Sequence, residues 1–312
     1  MPKLPVTVLS GFLGATPRAI RRATCLLAGA LFLAGCAQPQ PSRPAGTLRV
    51  VTSISPLADL VRQVGGPTVQ VHHLVQVGAD PHTFEPKPSD MRAVADADLI
   101  IVNGAGLEGW LTRLLASAKR PETTVCVLAA GEPLLADDQE GGGNPHLWLD
   151  PQIVRHYVAR IARALAGARP REAVGFRQRA AAYDSQLVIL DRVIRQQLAD
   201  VPTARRQVVV MHDAFAYYFR RYGIRRVGVL ESSPGRDPSA GEYAALVSTI
   251  RRLGVRALFG EPQYNPKPLQ RLAAETGIHV VDSLADDTLG PPPADSYLGM
   301  MQVNTHTIAE AL

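Results

Sequence analysis

Val208-Val209-Val210-Met211-His212-Asp213-Ala214-Phe215 runs from three β-branched residues into a polar pair and then into apolar residues at helical spacing. Such a run reads as a buried parallel strand that gives way to a helix. In open α/β sheets ligands bind at this carboxyl edge of the strands. Outward from it the alternation repeats, with strands expected over Gln207 to Met211, Arg226 to Leu230, Ala257 to Gly260 and Ile278 to Val281. An earlier set lies over Arg49 to Ile54, Val69 to Val75, Leu99 to Asn103 and Thr124 to Leu128. Helical spacing separates these at Leu57 to Val64, Ser89 to Ala95 and Gly109 to Ala118, and Gln152 to Leu165 continues as a helix. The fold class is α/β, with two similar domains, each built on a mainly parallel four-stranded sheet.

Between the two sets, Pro170 to Val201 carries Phe176, Tyr183, Leu187, Leu190, Ile194 and Leu198 on one helical stripe. The pattern predicts one unbroken helix of about 30 residues, roughly 45 Å long, enough to run along both domains. The expected organisation is residues 1–35 as an export signal with a spurious extension, 36–46 as a lipidated cysteine and tether, 47–169 and 202–312 as the two α/β domains, and 170–201 as the linker helix.

Three histidines stand where these strands end. Asp80-Pro81-His82-Thr83-Phe84-Glu85-Pro86 places His82 on a proline-braced loop, and Asn144-Pro145-His146-Leu147-Trp148-Leu149-Asp150-Pro151 does the same for His146. Proline fixes φ and removes a donor, so neither segment continues a strand or helix through its histidine. With His212 they lie 64 and 66 residues apart, so they can converge from separate strand ends. Asp282 follows the strand Ile278 to Val281 in the same way, with Asp286 and Asp287 close behind. Three imidazoles and one carboxylate saturate a tetrahedral zinc ion.

The other five histidines read as bystanders. His72 and His73 face opposite sides of a strand, while His156, His279 and His306 sit on elements away from these loops.

With the His82 loop, Pro145-His146-Leu147-Trp148-Leu149-Asp150-Pro151, His212-Asp213-Ala214-Phe215, Glu261-Pro262 and the tail Asp295-Ser296-Tyr297, Met300-Met301 and Asn304, the chain resembles the zinc/manganese-binding solute-binding proteins of ABC transporters, the zinc-uptake and TroA-like group. The resemblance covers residues 47 to 312. It implies a metal held in the cleft between domains by His82, His146, His212 and Asp282, a stiff linker helix, and a monomer that delivers its ion to an ABC permease. Manganese-binding relatives commonly put a carboxylate where this chain has His212, so zinc is the expected ion and manganese the alternative. The chain departs from the branch with a long His-rich loop: Leu134 to Gly143 carries Asp137, Asp138 and Glu140 and no histidine. A zinc hydrolase would need a vacant position and a general base. No His-Glu-x-x-His helix is present and Glu85 reads as structural, so no enzyme is expected. A surface adhesin is a third, less favoured reading.

Arg18 to Cys36 reads as a signal, with a basic start, the apolar stretch Ala23 to Gly35 and small residues at its end. Leu33-Ala34-Gly35-Cys36 resembles a bacterial lipobox, which implies lipidation of Cys36, and the Pro- and Gln-rich Gln38 to Ala45 reads as its tether. The expected location is periplasmic or the outer face of the cytoplasmic membrane, lipid-anchored. The net charge of +5 invites a nucleic-acid reading, but Lys3, Arg18, Arg21 and Arg22 fall before Cys36 with no acid among them, and their removal leaves 29 of the 33 basic residues against 28 acids. No basic patch with interleaved aromatics appears, so nucleic acid is not an expected partner. Met1 to Ala15 resembles the start of CobW-type GTPases, yet Thr16-Pro17-Arg18 stands where Gly-Lys-Ser/Thr would bind phosphate. No nucleotide site is expected there. Cys25, Cys36 and Cys126 leave no disulfide for the mature chain, and Cys126 reads as a small apolar residue.

Overall fold

Every strand runs parallel to its neighbours, in two sheets of four with one shared topology. The computed structural model describes residues 46–136, 143–231, 236 and 238–312. The signal, Cys36, the tether and the acids Asp137, Asp138 and Glu140 lie outside the described residues. The first sheet has the order β2-β1-β3-β4, from β1 Leu48–Thr52, β2 Val69–His73, β3 Leu99–Val102 and β4 Thr124–Val127. The second has the order β6-β5-β7-β8, from β5 Gln207–Val210, β6 Arg225–Val229, β7 Ala257–Phe259 and β8 His279–Val281. The strands stop one to two residues short of most sequence limits, where the chain leaves the ladder at the carboxyl edge of each sheet.

The helices are α1 Ser55–Gly65, α2 Pro88–Asp96, α3 Leu111–Ala118, α4 Pro151–Ala168, α5 Ala173–Ala199, α6 Ala216–Tyr222, α7 Ala240–Leu253, α8 Lys267–Thr276 and α9 Tyr297–Ala311. Their starts are coded locally. Asp150 caps α4 by accepting from Gln152 N at 2.8 Å, with Pro151 in the first turn. Ser239 and Glu242 form a reciprocal capping box on α7.

The linker helix is shorter than expected at both ends, stopping at Ala199 and starting late. Pro170–Glu172 is a separate 3-10 turn, and α5 begins at Ala173 and runs for 27 residues, about 40 Å at 1.5 Å per residue. Proline is tolerated at a helix start, and here the chain arriving from α4 turns before the α-helix forms. The predicted stripe is buried throughout, and Ala180 completes it. This helix packs on α1, α4 and α9, and Arg179 donates to Val64 O and Gly65 O, both at 2.8 Å. One hydrophobic core runs from β1 and β3 through this stripe to Phe215, Tyr218, Phe259, Tyr297 and Met300. The two lobes therefore share a core, and relative motion between them would have to disrupt packed side chains.

Candidate metal centre

Beyond β2, backbone bonds from Leu74 N to Thr52 O (3.0 Å) and Val75 N to Ser53 O (2.9 Å) carry the chain to the sheet's carboxyl edge. The Asp80 carboxylate then accepts from His82 N and Thr83 Oγ1, each at 2.8 Å, which closes a turn around the histidine. Trp110 Nε1 donates to Pro81 O at 2.8 Å, and its ring meets Phe84.

His146 sits on a buried strap. Asn103 Nδ2 donates to Pro145 O at 2.8 Å, which ties it to the first lobe. Asn144 Nδ2 donates to Asp213 O at 2.6 Å and Trp148 Nε1 to Asp286 O at 2.7 Å, which tie it to the second. The Asn144 side-chain oxygen faces His146 Nδ1 at 3.1 Å.

His212 lies two residues past β5, where Met211 N still bonds Phe259 O at 2.7 Å. The rings of His82, His146 and His212 come together with centroids 5.2, 6.1 and 5.2 Å apart. His82 Nε2 and His146 Nε2 are 3.2 Å apart, and His146 Nε2 is 3.8 Å from Asp287 Oδ1. Around an ion with bonds of 2.0 to 2.2 Å, tetrahedral donors sit about 3.3 to 3.6 Å from one another. The four side chains His82, His146, His212 and Asp287 offer ligand atoms within 4.8 Å of one another, and all but His82 are buried.

The fourth position corrects the sequence expectation. Asp282 is exposed and is not among the grouped residues, while Asp287, five residues on, is fully buried against the histidines. Past the edge strand β8, Asp282 and Ser283 are exposed, and the chain is buried again only at Leu284, whose N–H bonds Gly260 O, before it reaches the tandem acids. The signal that could have found it is the tandem Asp286-Asp287. The loop that carries them is held at several points. Leu284 N bonds Gly260 O, Ala285 N bonds Asn304 Oδ1, and Leu289 N bonds Ser55 Oγ. A Cβ on Gly299 would lie 1.9 Å from Pro293 O, so only glycine lets α9 pack on the proline run.

Sequence reasoning gave no role to two further acids. Glu261 Oε2 is 3.4 Å from His212 Nδ1, and Asp286 Oδ2 is 3.4 Å from His212 Nε2. Asp286 Oδ1 accepts from Gln263 Nε2 at 2.7 Å. Both nitrogens of His212, both oxygens of Glu261 and of Asp287, and Asp286 Oδ2 are buried without a hydrogen-bond partner among the described residues. Uncompensated buried carboxylates are costly, and a bound cation is the direct remedy.

Electrostatics divides the three imidazoles. Burial, then the neighbouring His82 and His212, holds His146 well below the ordinary histidine value. Burial, then His212, lowers His82. Burial also works against the charged form of His212, yet Glu261, Asp286 and Asp287 outweigh it and push it up to about 10. Burial raises Glu261 to about 7, and burial with the adjacent Asp286 raises Asp287 well above the carboxylate range. Two neutral nitrogens and an acid-rich pocket thus face one point, which suits a divalent cation.

The remaining histidines stay outside this group. His156 pairs with Glu132 at 3.1 Å, His306 with Glu310 at 3.3 Å, and His72 and His279 are exposed. Glu85 is exposed as well. Among the described residues no helix is long and apolar enough to cross a membrane.

Known proteins share this fold. The model of the family described as periplasmic component A of the zinc-uptake complex matches residues 50–311. The metal ABC transporter substrate-binding lipoprotein FimA of Streptococcus parasanguinis is 30% identical over 90% of this chain and 94% of its own. The manganese-binding lipoprotein MntA of Halalkalibacterium halodurans is 31% identical over 91% and 95%. The solved periplasmic zinc-binding protein TroA from Treponema pallidum superposes with a TM-score of 0.79 at 28% identity, covering 85% of this chain and 99% of that one. The chain belongs to the zinc-uptake component A family, solute-binding proteins of metal ABC transporters and not enzymes.

Proposed function

We propose that the protein captures zinc outside the cytoplasmic membrane, tethered by a lipid on Cys36, and delivers it to an ABC permease. The ligands in this reading are His82, His146, His212 and Asp287. What supports it most is the convergence of three imidazoles and one carboxylate, from loops far apart in the chain, with ligand atoms within 4.8 Å of one another. Nitrogen-rich four-coordination suits zinc better than manganese, which takes more oxygen. A single chain supplies all four donors, so a monomer suffices.

A manganese reading draws on one specific feature, the Asp286 oxygen 3.4 Å from His212 Nε2, which offers a fifth donor beside the four. Competition titration of metal-free protein with zinc and manganese separates the two. The zinc reading expects one ion per chain and retention of zinc against a large excess of manganese. Parity, or preference for manganese, would overturn it.

A further inference from the structure

Glu261 has no place in the set of four ligands, yet it is 2% exposed and its side chain is buried completely. Sheet register explains its position. Val210 of β5 is paired with Phe259 of β7, so two residues further on, beyond both strand ends, His212 and Glu261 lie side by side. The Glu261 oxygens meet no other hydrogen-bond donor among the described residues, and His212 Nδ1 lies 3.4 Å from one of them. On its other side the His212 ring packs edge-on against Tyr264, with centroids 4.9 Å apart, which restricts rotation of the imidazole.

We infer that Glu261 is a positioning residue: its carboxylate accepts Nδ1–H of His212 and so turns the Nε2 lone pair toward the ion. This rests on the reading that His212 is a metal ligand. An imidazole binds metal through one nitrogen, and the hydrogen bond made by the other selects which one. His146 carries a matching arrangement, with Nδ1 at 3.1 Å from the Asn144 oxygen and Nε2 toward His82. The two acceptors differ in charge. A neutral amide stands behind His146 and a carboxylate behind His212, so His212 is made the more basic donor of the two. The separation of 3.4 Å is at the long end for a hydrogen bond.

The test uses the mature protein, its Glu261→Gln and Glu261→Ala variants, and zinc alone as probe. Glu261→Gln keeps an acceptor oxygen in nearly the same shape, whereas Glu261→Ala removes it. Zinc affinity should fall about 10- to 100-fold in Glu261→Ala and less in Glu261→Gln. Nitrogen-15 NMR of the zinc-bound protein should show His212 protonated on Nδ1 and ligated through Nε2, a signature that loss of packing alone would not move. Glu261→Ala binding zinc as tightly as the wild type, or His212 ligating through Nδ1, would overturn the inference while leaving the function intact. If Glu261→Ala fails to fold, the NMR signature in the wild type and the intermediate affinity of Glu261→Gln decide the matter. A wild-type protein that takes up neither zinc nor manganese would overturn the functional reading, and this inference with it.

Discussion

Replacing Asp287 with asparagine should move metal-free stability and zinc affinity in opposite directions. Asp287 is fully buried, both its oxygens lack a hydrogen-bond partner among the described residues, and it stands beside Asp286. Asparagine has nearly the same shape without the charge. Relief of an unsatisfied buried charge is worth on the order of 1 to 3 kcal/mol, which for a chain of this size raises Tm by roughly 2 to 4 °C per kcal/mol. The gain depends on pH in a defined sense. An acid whose folded pKa is raised binds more protons folded than unfolded, so its penalty is absent at low pH and grows as pH rises above the ordinary carboxylate value.

The zinc-bound state has the reverse balance, because removing one partner of a buried charge pair costs about 3 kcal/mol, on the order of a hundredfold in Kd. Calorimetric melting of metal-free protein at several pH values, with chelator competition for zinc affinity, reads both sides. Asp282→Asn serves as control and should change neither, since Asp282 is exposed. Loss of affinity in Asp282→Asn with wild-type affinity in Asp287→Asn would refute the assignment of the fourth donor.

Three other outcomes are expected. His146→Ala and His212→Ala should each weaken zinc binding at least tenfold by chelator competition, because each removes a bond to the metal. In the metal-free protein His212 is pushed up to about 10, so the stability from its pairing with Glu261 and Asp286 is full below about 6.5 and lost as pH rises through about 10; zinc must displace that proton, so titration calorimetry in buffers of different ionisation heat should show proton release, and affinity should rise with pH between 7 and 10. Mass spectrometry of membrane-extracted protein should find a lipidated Cys36 at the amino terminus and no peptide from Met1 to Ala15, and recovery of those residues in the mature protein would contradict the signal reading.

The fold was legible because its signals are local. β-branched or apolar runs marked eight strands, and the stripe from Phe176 to Leu198 marked the linker helix residue by residue. His82, His146 and His212 were legible for a related reason: each follows or sits near a strand end and is braced by proline or by a sharp change of composition. Asp287 was not, because it lies six residues past β8, beyond an exposed Asp282, and its burial depends on bonds that the acid loop makes with Gly260, Asn304 and Ser55. Glu261 and Asn144 were missed because their role depends on cross-strand register and on contacts between lobes, and neither leaves a periodic trace in the sequence. The same holds for the strap from Asn144 to Pro151. It was assigned to the first domain by order along the chain, yet its hydrogen bonds to Asp213 and Asp286 join it equally to the second lobe.

That strap bears on how an ion would leave the site. Glycine and three prolines follow the acid loop of the second domain, yet hydrogen bonds fix that loop more firmly than the loop of His82. The acid loop is tied at Leu284, Ala285, Asp286 and Leu289, and the strap with His146 is tied to both lobes. The His82 loop has fewer ties: its own Asp80 turn and the single bond from Trp110 to Pro81, with Gln76, Val77 and Gly78 exposed behind it. His82 is also the only one of the four grouped residues that reaches solvent. Local opening follows the weakest set of buried contacts, so in the proposed site the His82 loop is the part expected to swing away, with His146, His212 and Asp287 staying in place. Trp110→Phe keeps the ring against Phe84 and removes only the bond to Pro81 O, so it loosens this loop without touching a ligand. By stopped-flow with a chelator, zinc dissociation from Trp110→Phe should be several-fold faster, with melting temperature nearly unchanged. An unchanged off-rate in this variant, together with acceleration in Trp148→Phe, which frees the Asp286 carbonyl instead, would return the gate to the acid loop.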